Sequence, residues 1–227
     1  MLTVGTIVNS RVRILLRDID SGGTSHKDPE LIEWVNEGAA EIARIRPEAS
    51  SSTLDVVLVA GAFQSIPAGA TLLLEVVGNV NLPGGDLTRI VRRVERETLD
   101  KENVNWPLDT SAPLTKRFVL SDTNPRTYYV YPPHSGVTDS GLKIVVGMAP
   151  ILVADMADAF PLPDIYAAPL ANYVLYRAFL KQLESPEAQA RAFDMLKVFN
   201  EQMGVTDQNQ EMRSAKNRQP TGAKGAS

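Results

Sequence analysis

Asp155 and Asp158 in "VADMADAF", and Glu95 and Glu97 in "VERET", are pairs of carboxylates of the kind a glycoside hydrolase uses. One carboxyl would protonate the leaving oxygen while the other attacks or activates water, across a gap of roughly 5 to 9 Å. That gap is spatial, and any acidic chain offers such pairs, so solvated loop charges are the preferred reading. His134 stands in "YVYPPHSG" after two prolines, where it reads as a turn residue, exposed or at an interface, and only secondarily as a general base. The chain has two histidines, His26 and His134, and no cysteine. Thiol nucleophiles, disulfides and Cys-bound metals are therefore excluded, and a His-rich metal site is not expected. "SGGTSHK" lacks the Gly-Lys-Ser/Thr order of a phosphate-cradling loop, and neither a Gly-x-Ser-x-Gly elbow nor a His-Glu-x-x-His helix occurs. No catalytic residue, cofactor or metal is expected.

Two further clusters could bind rather than react. Arg89, Arg92, Arg93 and Arg96 in "TRIVRRVER" are the densest basic group. Strand alternation would send Arg89 and Arg93 to one face and Arg92 to the other, which favours ion pairs between subunits over a grip on DNA. Tyr128, Tyr129 and Tyr131 in "RTYYVYPPH" could stack on bases, but Arg126 is the one cation beside them, whereas a stacking platform wants several. As a strand, the stretch sends Tyr129 and Tyr131 one way and Tyr128 and Val130 the other, so each set packs against a layer or a subunit. Arg89, Arg92, Arg93, Tyr128 and His134 are the subunit-interface candidates.

The elements that must position these residues follow from the spacing. Val4, Ile7, Val8, Val12, Leu15, Leu16 and Ile19 mark a first helix with its arginines largely off the buried stripe. Asp28 as N-cap and Pro29 at the first position open a second, with the stripe Leu31, Val35, Ala39, Ile42 and Ile45, closed by Pro47. From about Thr53 the period shortens to that of strands: "TLDVVLV", "FQSI", "TLLLEVVGNV", "TRIVRRV", "KRFVLSD", "RTYYVY" and "LKIVVGM", with a short helix at "RETLDKENV". Gly, Pro, Asn and Asp clusters separate them too closely for crossover helices, so the sheet is mainly antiparallel. Helical spacing returns at Leu170, Tyr173, Val174, Arg177 and Leu180, with Pro169 in the first turn. A last helix is capped by Ser185 and Pro186, carries Ala192, Met195, Leu196, Phe199 and Met203, and ends at Gly204.

These elements predict an α+β fold. The N- and C-terminal helix pairs form a four-helix bundle, because neither pair alone buries its stripe, and a mainly antiparallel β-sandwich or small barrel is inserted between them. The expected domains are 1–51 and 161–204 for the two helical halves, 52–160 for the β domain, and 205–227 for a polar tail that orders on assembly.

The chain has 227 residues, 44% of them hydrophobic, enough to bury a core. Its apolar runs fall short of the roughly 20 residues of a membrane helix. Arg11, Arg13 and Arg17 lie after and within the first apolar stretch, unlike the leading charges of a signal peptide, so no secretion is expected. The formal net charge is −4, and the final 23 residues carry four cations against two carboxylates, which leaves −6 on the remainder. A dedicated nucleic-acid binder needs a dense cationic face instead.

With the order helix, helix, β domain, helix, helix established, five strings stand out: "DPELIEWVNEGAAEIARIRPEA", "VLVAGAFQSIPAGATLLLEVV", "RRVERETLD", "RFVLSDTNPRTYYVYPP" and "LPDIYAAPLANYVLYRAFLKQ". In this order and spacing the chain resembles the phage head-to-tail adaptor family, related to tail tubular protein A of short-tailed phages. The resemblance covers residues 1 to 204, with Pro169 and the long "LPGGD" turn as local variations. It implies a non-enzymatic virion structural protein at the head–tail junction, assembled in the host cytoplasm. It further implies a ring, usually of twelve copies, between portal and tail nozzle or tail tube, with DNA crossing the lumen without specific binding. The helical domain would face the portal and the β domain the tail. Met212, Arg213, Lys216 and Arg218 in the polar tail are candidates for docking on the portal. The competing expectation is a tail-associated carbohydrate-binding module or glycan hydrolase working through Asp155 or Asp158.

Overall fold

The computed structural model describes residues 2–18, 25–181 and 185–205. They form a mixed α+β chain that divides into two compact units: residues 1–46 together with 151–227, and residues 47–150.

The first unit is helical. Its opening helix changes pitch twice: α1 (Val4–Ile7) runs into a π-helical stretch, Val8–Arg13, and then into the short α2 (Ile14–Leu16). A π turn takes more residues than an α turn, so the buried stripe, still in place at Val12, slips out of helical register after it. This corrects the expected stripe: Leu15 is 60% exposed, while Arg13 is buried at 4%. Arg13 does not enter the interior unpaired. Its guanidinium donates to the His26 carbonyl at 3.2 Å, lies 3.4 Å from the Asp18 carboxylate and pairs with Asp28.

Helix α3 (Asp28–Ile45) buries Leu31, Trp34, Val35, Gly38, Ala39 and Ile42. Asp28 is its first helical residue rather than its N-cap, which is Lys27, and its carboxylate is engaged by Arg13. Later in the chain, α5 (Ala167–Leu180) and α6 (Pro186–Gln202) complete the unit, with α5 touching the opening helix, α3 and α6. Gly38 brings α3 and α5 close: a Cβ there would sit 2.5 Å from a Leu170 methyl and 2.7 Å from the Tyr173 ring. Ser185 caps α6 through the Ala188 amide, and Gly204, at φ +71°, takes the left-handed conformation that ends it.

The second unit is built of two four-stranded sheets. One contains β1 (Ser51–Val57), β3 (Ala70–Asn81), β4 (Leu87–Ile90) and β8 (Ser140–Met148), in the order β1-β8-β3-β4. The other contains β2 (Gly61–Ser65), β5 (Arg92–Arg93), β6 (Arg117–Leu120) and β7 (Thr127–His134), in the order β2-β7-β6-β5. Every pairing is antiparallel except β5 with β6. The short α4 (Arg96–Glu102) follows β5. One apolar cluster draws on both sheets, with Leu73, Val76, Leu142, Ile144 and Val146 from the first and Phe118, Tyr128 and Val130 from the second. Burying a side chain of this size stabilises by about 1.5–3 kcal/mol, so the cluster joins the sheets face to face.

The string "TRIVRRV" is not the single strand its composition predicts. It breaks at Val91, which is buried between β4 and β5, and the chain passes there from one sheet to the other. Arg89 and Arg93 therefore belong to different sheets, and face alternation along one strand does not relate them.

Candidate assembly surfaces

β7 places the tyrosines as a two-faced ribbon. Tyr128, fully buried, sits in the cluster between the sheets, where loss of water pushes its hydroxyl well above the ordinary tyrosine range. On the opposite face Tyr129 and Tyr131 close over Trp106 with edge-on rings at 5.9 and 6.4 Å, and Phe63 meets Tyr129 at 5.5 Å. Arg96 stands 5.5 Å over the Tyr129 ring, a cation–π contact. Polar ends are satisfied at the rim: the Trp106 indole N–H donates to Asp100 at 2.8 Å and the Tyr131 hydroxyl to Asp109 at 3.1 Å. The Asp109 bond raises the Tyr131 pKa by holding its proton. Trp106, Leu99, Ala62 and Val119 thus form a second, smaller core beneath α4. No spacing rule pointed to Trp106, whose partners are gathered from β2, α4 and β7.

His134 corrects the expectation of a turn residue. It is the last residue of β7 and 1% exposed. Its Nδ1 accepts the Gly136 amide at 3.1 Å, which fixes the proton on Nε2, facing the Pro113 carbonyl at 3.1 Å. Burial lowers its pKa, keeping the ring neutral. With both nitrogens engaged, it offers neither a free base nor surface to a neighbour. Tyr128 likewise gives no accessible surface, so among the interface candidates Arg89, Arg92 and Arg93 are the exposed ones.

The carboxylates proposed for hydrolysis serve their own loop. Asp158 accepts the amides of Ala154 and Asp155, both at 2.9 Å, and Asp155 accepts the Ala157 amide at 2.8 Å. Those amide bonds depress the Asp158 pKa, the reverse of what a general acid needs. Glu95 precedes α4 and Glu97 lies in its first turn, where Lys101 reaches Glu97 at 3.4 Å. Met212, Arg213, Lys216 and Arg218 lie outside the described residues.

Among the described residues no group of three or more His, Asp or Glu side chains gathers to hold a metal, and no helix is long and apolar enough to cross a membrane. What the surface offers instead is contact area. In the helical unit Ile14 and Leu15, 53% and 60% exposed, border an apolar groove against α5, and Phe193 on α6 is 62% exposed.

Comparison with known families gives the chain a context. The family described as "SU10 adaptor protein" matches residues 2–220, nearly the whole chain. The chain belongs to the SU10 adaptor family. This is a phage head-to-tail adaptor family, so the chain is a virion structural protein of the head–tail junction. No curated protein matches it.

Proposed function

We propose that this SU10 adaptor is a non-enzymatic ring protein, of twelve copies, seated between the portal and the tail nozzle, with DNA passing through its lumen. The observation that carries the reading is the family match over residues 2–220. The engagement of Asp155, Asp158 and His134 in local backbone bonds supports it. So does the formal net charge of −4, suited to a channel that passes a polyanion without retaining it. In this reading the opening helix, α3, α5 and α6 act as one four-helix bundle facing the portal, and the β unit faces the tail. The exposed Arg89, Arg92 and Arg93 meet acidic groups of the next subunit, and the polar segment 205–227 docks on the portal.

Mass measurement and electron microscopy of the full chain mixed with its cognate portal test this. Rings bound to the portal are expected; a monomer that ignores the portal would refute the reading. Removal of residues 205–227 is expected to weaken portal binding while leaving the melting of the remainder unchanged.

A further inference from the structure

The groove in the helical unit has a volume of about 320 Å³ and is walled by Ile14, Leu15, Ala168, Ala171 and Leu175. Small side chains on α5 open it, and two large aliphatic side chains of the opening helix stand half in water at its edge. The π-helical stretch explains why they are there: the pitch change that buries Arg13 rotates Ile14 and Leu15 outward. An apolar hollow of this kind is wetted at a cost, and it takes a complementary apolar side chain.

The same unit presents such a side chain elsewhere. Phe193 is 62% exposed on α6, a helix whose buried residues are Ala188, Ala192 and Phe199. Its position relative to the groove follows from the helix geometry. Asn172, on the groove wall, donates to Gln202 at 2.9 Å, so the groove lies on the Gln202 side of α6. Phe193 precedes Gln202 by nine residues, roughly two and a half turns, and so projects from the opposite side of the helix. The molecule cannot fill its own groove with Phe193.

Charge agrees with the pairing. Arg11 lies on the groove itself, whereas Arg13 is buried against Asp18 and Asp28. Next to Phe193 stands Asp194, exposed and paired with no cation among the described residues, while Lys197, one turn on, faces Glu201 at 3.9 Å. A hollow with an arginine at its edge and an aromatic knob with an aspartate beside it is the arrangement of a heterologous contact, which propagates head to tail and closes into a ring when the rotation permits.

We propose that the groove receives Phe193 of a second copy of this chain, with Arg11 meeting Asp194 across the contact. The inference rests on the ring reading above and adds which surfaces join. Because the chain has no cysteine, engineered thiols report on it cleanly. Leu15→Cys places a thiol at the groove, and Ala190→Cys places one a single turn from Phe193 on α6. In the presence of cognate portal, oxidation of the two single variants mixed together is expected to give a covalent dimer, each alone none, and the double variant a ladder of higher oligomers. Phe193→Asp in the double variant is expected to abolish the ladder. Electron microscopy of the same samples before oxidation separates the two readings. Rings on the portal without cross-links would overturn this contact and leave the ring standing. Dimers from a single variant alone would overturn it in favour of a two-fold contact. Absence of rings and cross-links together would overturn both.

Discussion

Asn79 and Thr115 exchange two hydrogen bonds: the Asn79 amide donates to the Thr115 carbonyl at 2.8 Å, and the Thr115 N–H donates to the Asn79 side-chain oxygen at 2.7 Å. Asn79 belongs to β3 in one sheet, and Thr115 leads into β6 in the other. Both are buried, and the Asn79 amide also reaches the Arg89 carbonyl at 3.2 Å, just before the chain changes sheets. The pair is a polar rivet across an otherwise apolar seam. Asn79→Ala would leave the Thr115 amide and carbonyl buried without partners, at a cost of about 2–4 kcal/mol. Urea unfolding of the β unit followed through Trp106, in a Trp34→Phe background, measures it. Asn79→Asp is expected to fail as well, because a carboxylate accepts from the amide but cannot donate to the carbonyl.

Arg13 is expected to be needed by the helical unit. Arg13→Met would strip the cation from Asp18, itself 5% exposed, and destabilise the unit by about 3–5 kcal/mol. Combining it with Asp18→Asn should recover part of the loss, since the buried carboxylate that Arg13 balanced is then neutral. Trp34 fluorescence in a Trp106→Phe background reads this unit separately, because each unit holds one tryptophan.

His134 sets a pH dependence in the β unit. Its pKa is lowered by burial, so the folded state favours the neutral ring. The stability it contributes is fully present above the unfolded value of about 6.5 and is lost as pH falls below that toward the folded value. The urea midpoint of the β unit should therefore drop between neutral and mildly acidic pH, and by less in His134→Gln, which can still donate to the Pro113 carbonyl. Equal slopes for the two proteins would remove His134 from the account.

The sequence was most readable where one period ran unbroken. Leu31 to Ile42 and the capped α6 follow from helical spacing and Pro or Ser placement, and the strands follow from β-branched runs between turn residues. It misled at Arg13, because a π stretch has no residue signature and shifts every later side chain around the helix. It misled at Val91, where a run that composes as one strand serves two sheets. At His134, proline neighbours suggested an exposed turn, whereas β7 continues through Pro132 and Pro133 and carries the ring inside. The Asn79–Thr115 rivet and the Trp106 pocket were hidden for a different reason: their members are brought together by long-range pairing, which local spacing does not encode. Gly38 is similar, since only the approach of α5 shows why a helix interior carries glycine.

The way the β unit begins and ends has a mechanical consequence. β1 and β8 lie side by side and antiparallel, with Ser51 opposite Gly147, so the unit's two ends leave from the same place. A pull on them runs along the hydrogen bonds of that pair, which lie perpendicular to the strands, and parts them one rung at a time instead of shearing the whole ladder at once. Loaded at its ends the unit is a zipper, compliant and able to yield in small steps. The stiff direction lies along the strands, where every rung between β1, β8 and β3 resists together.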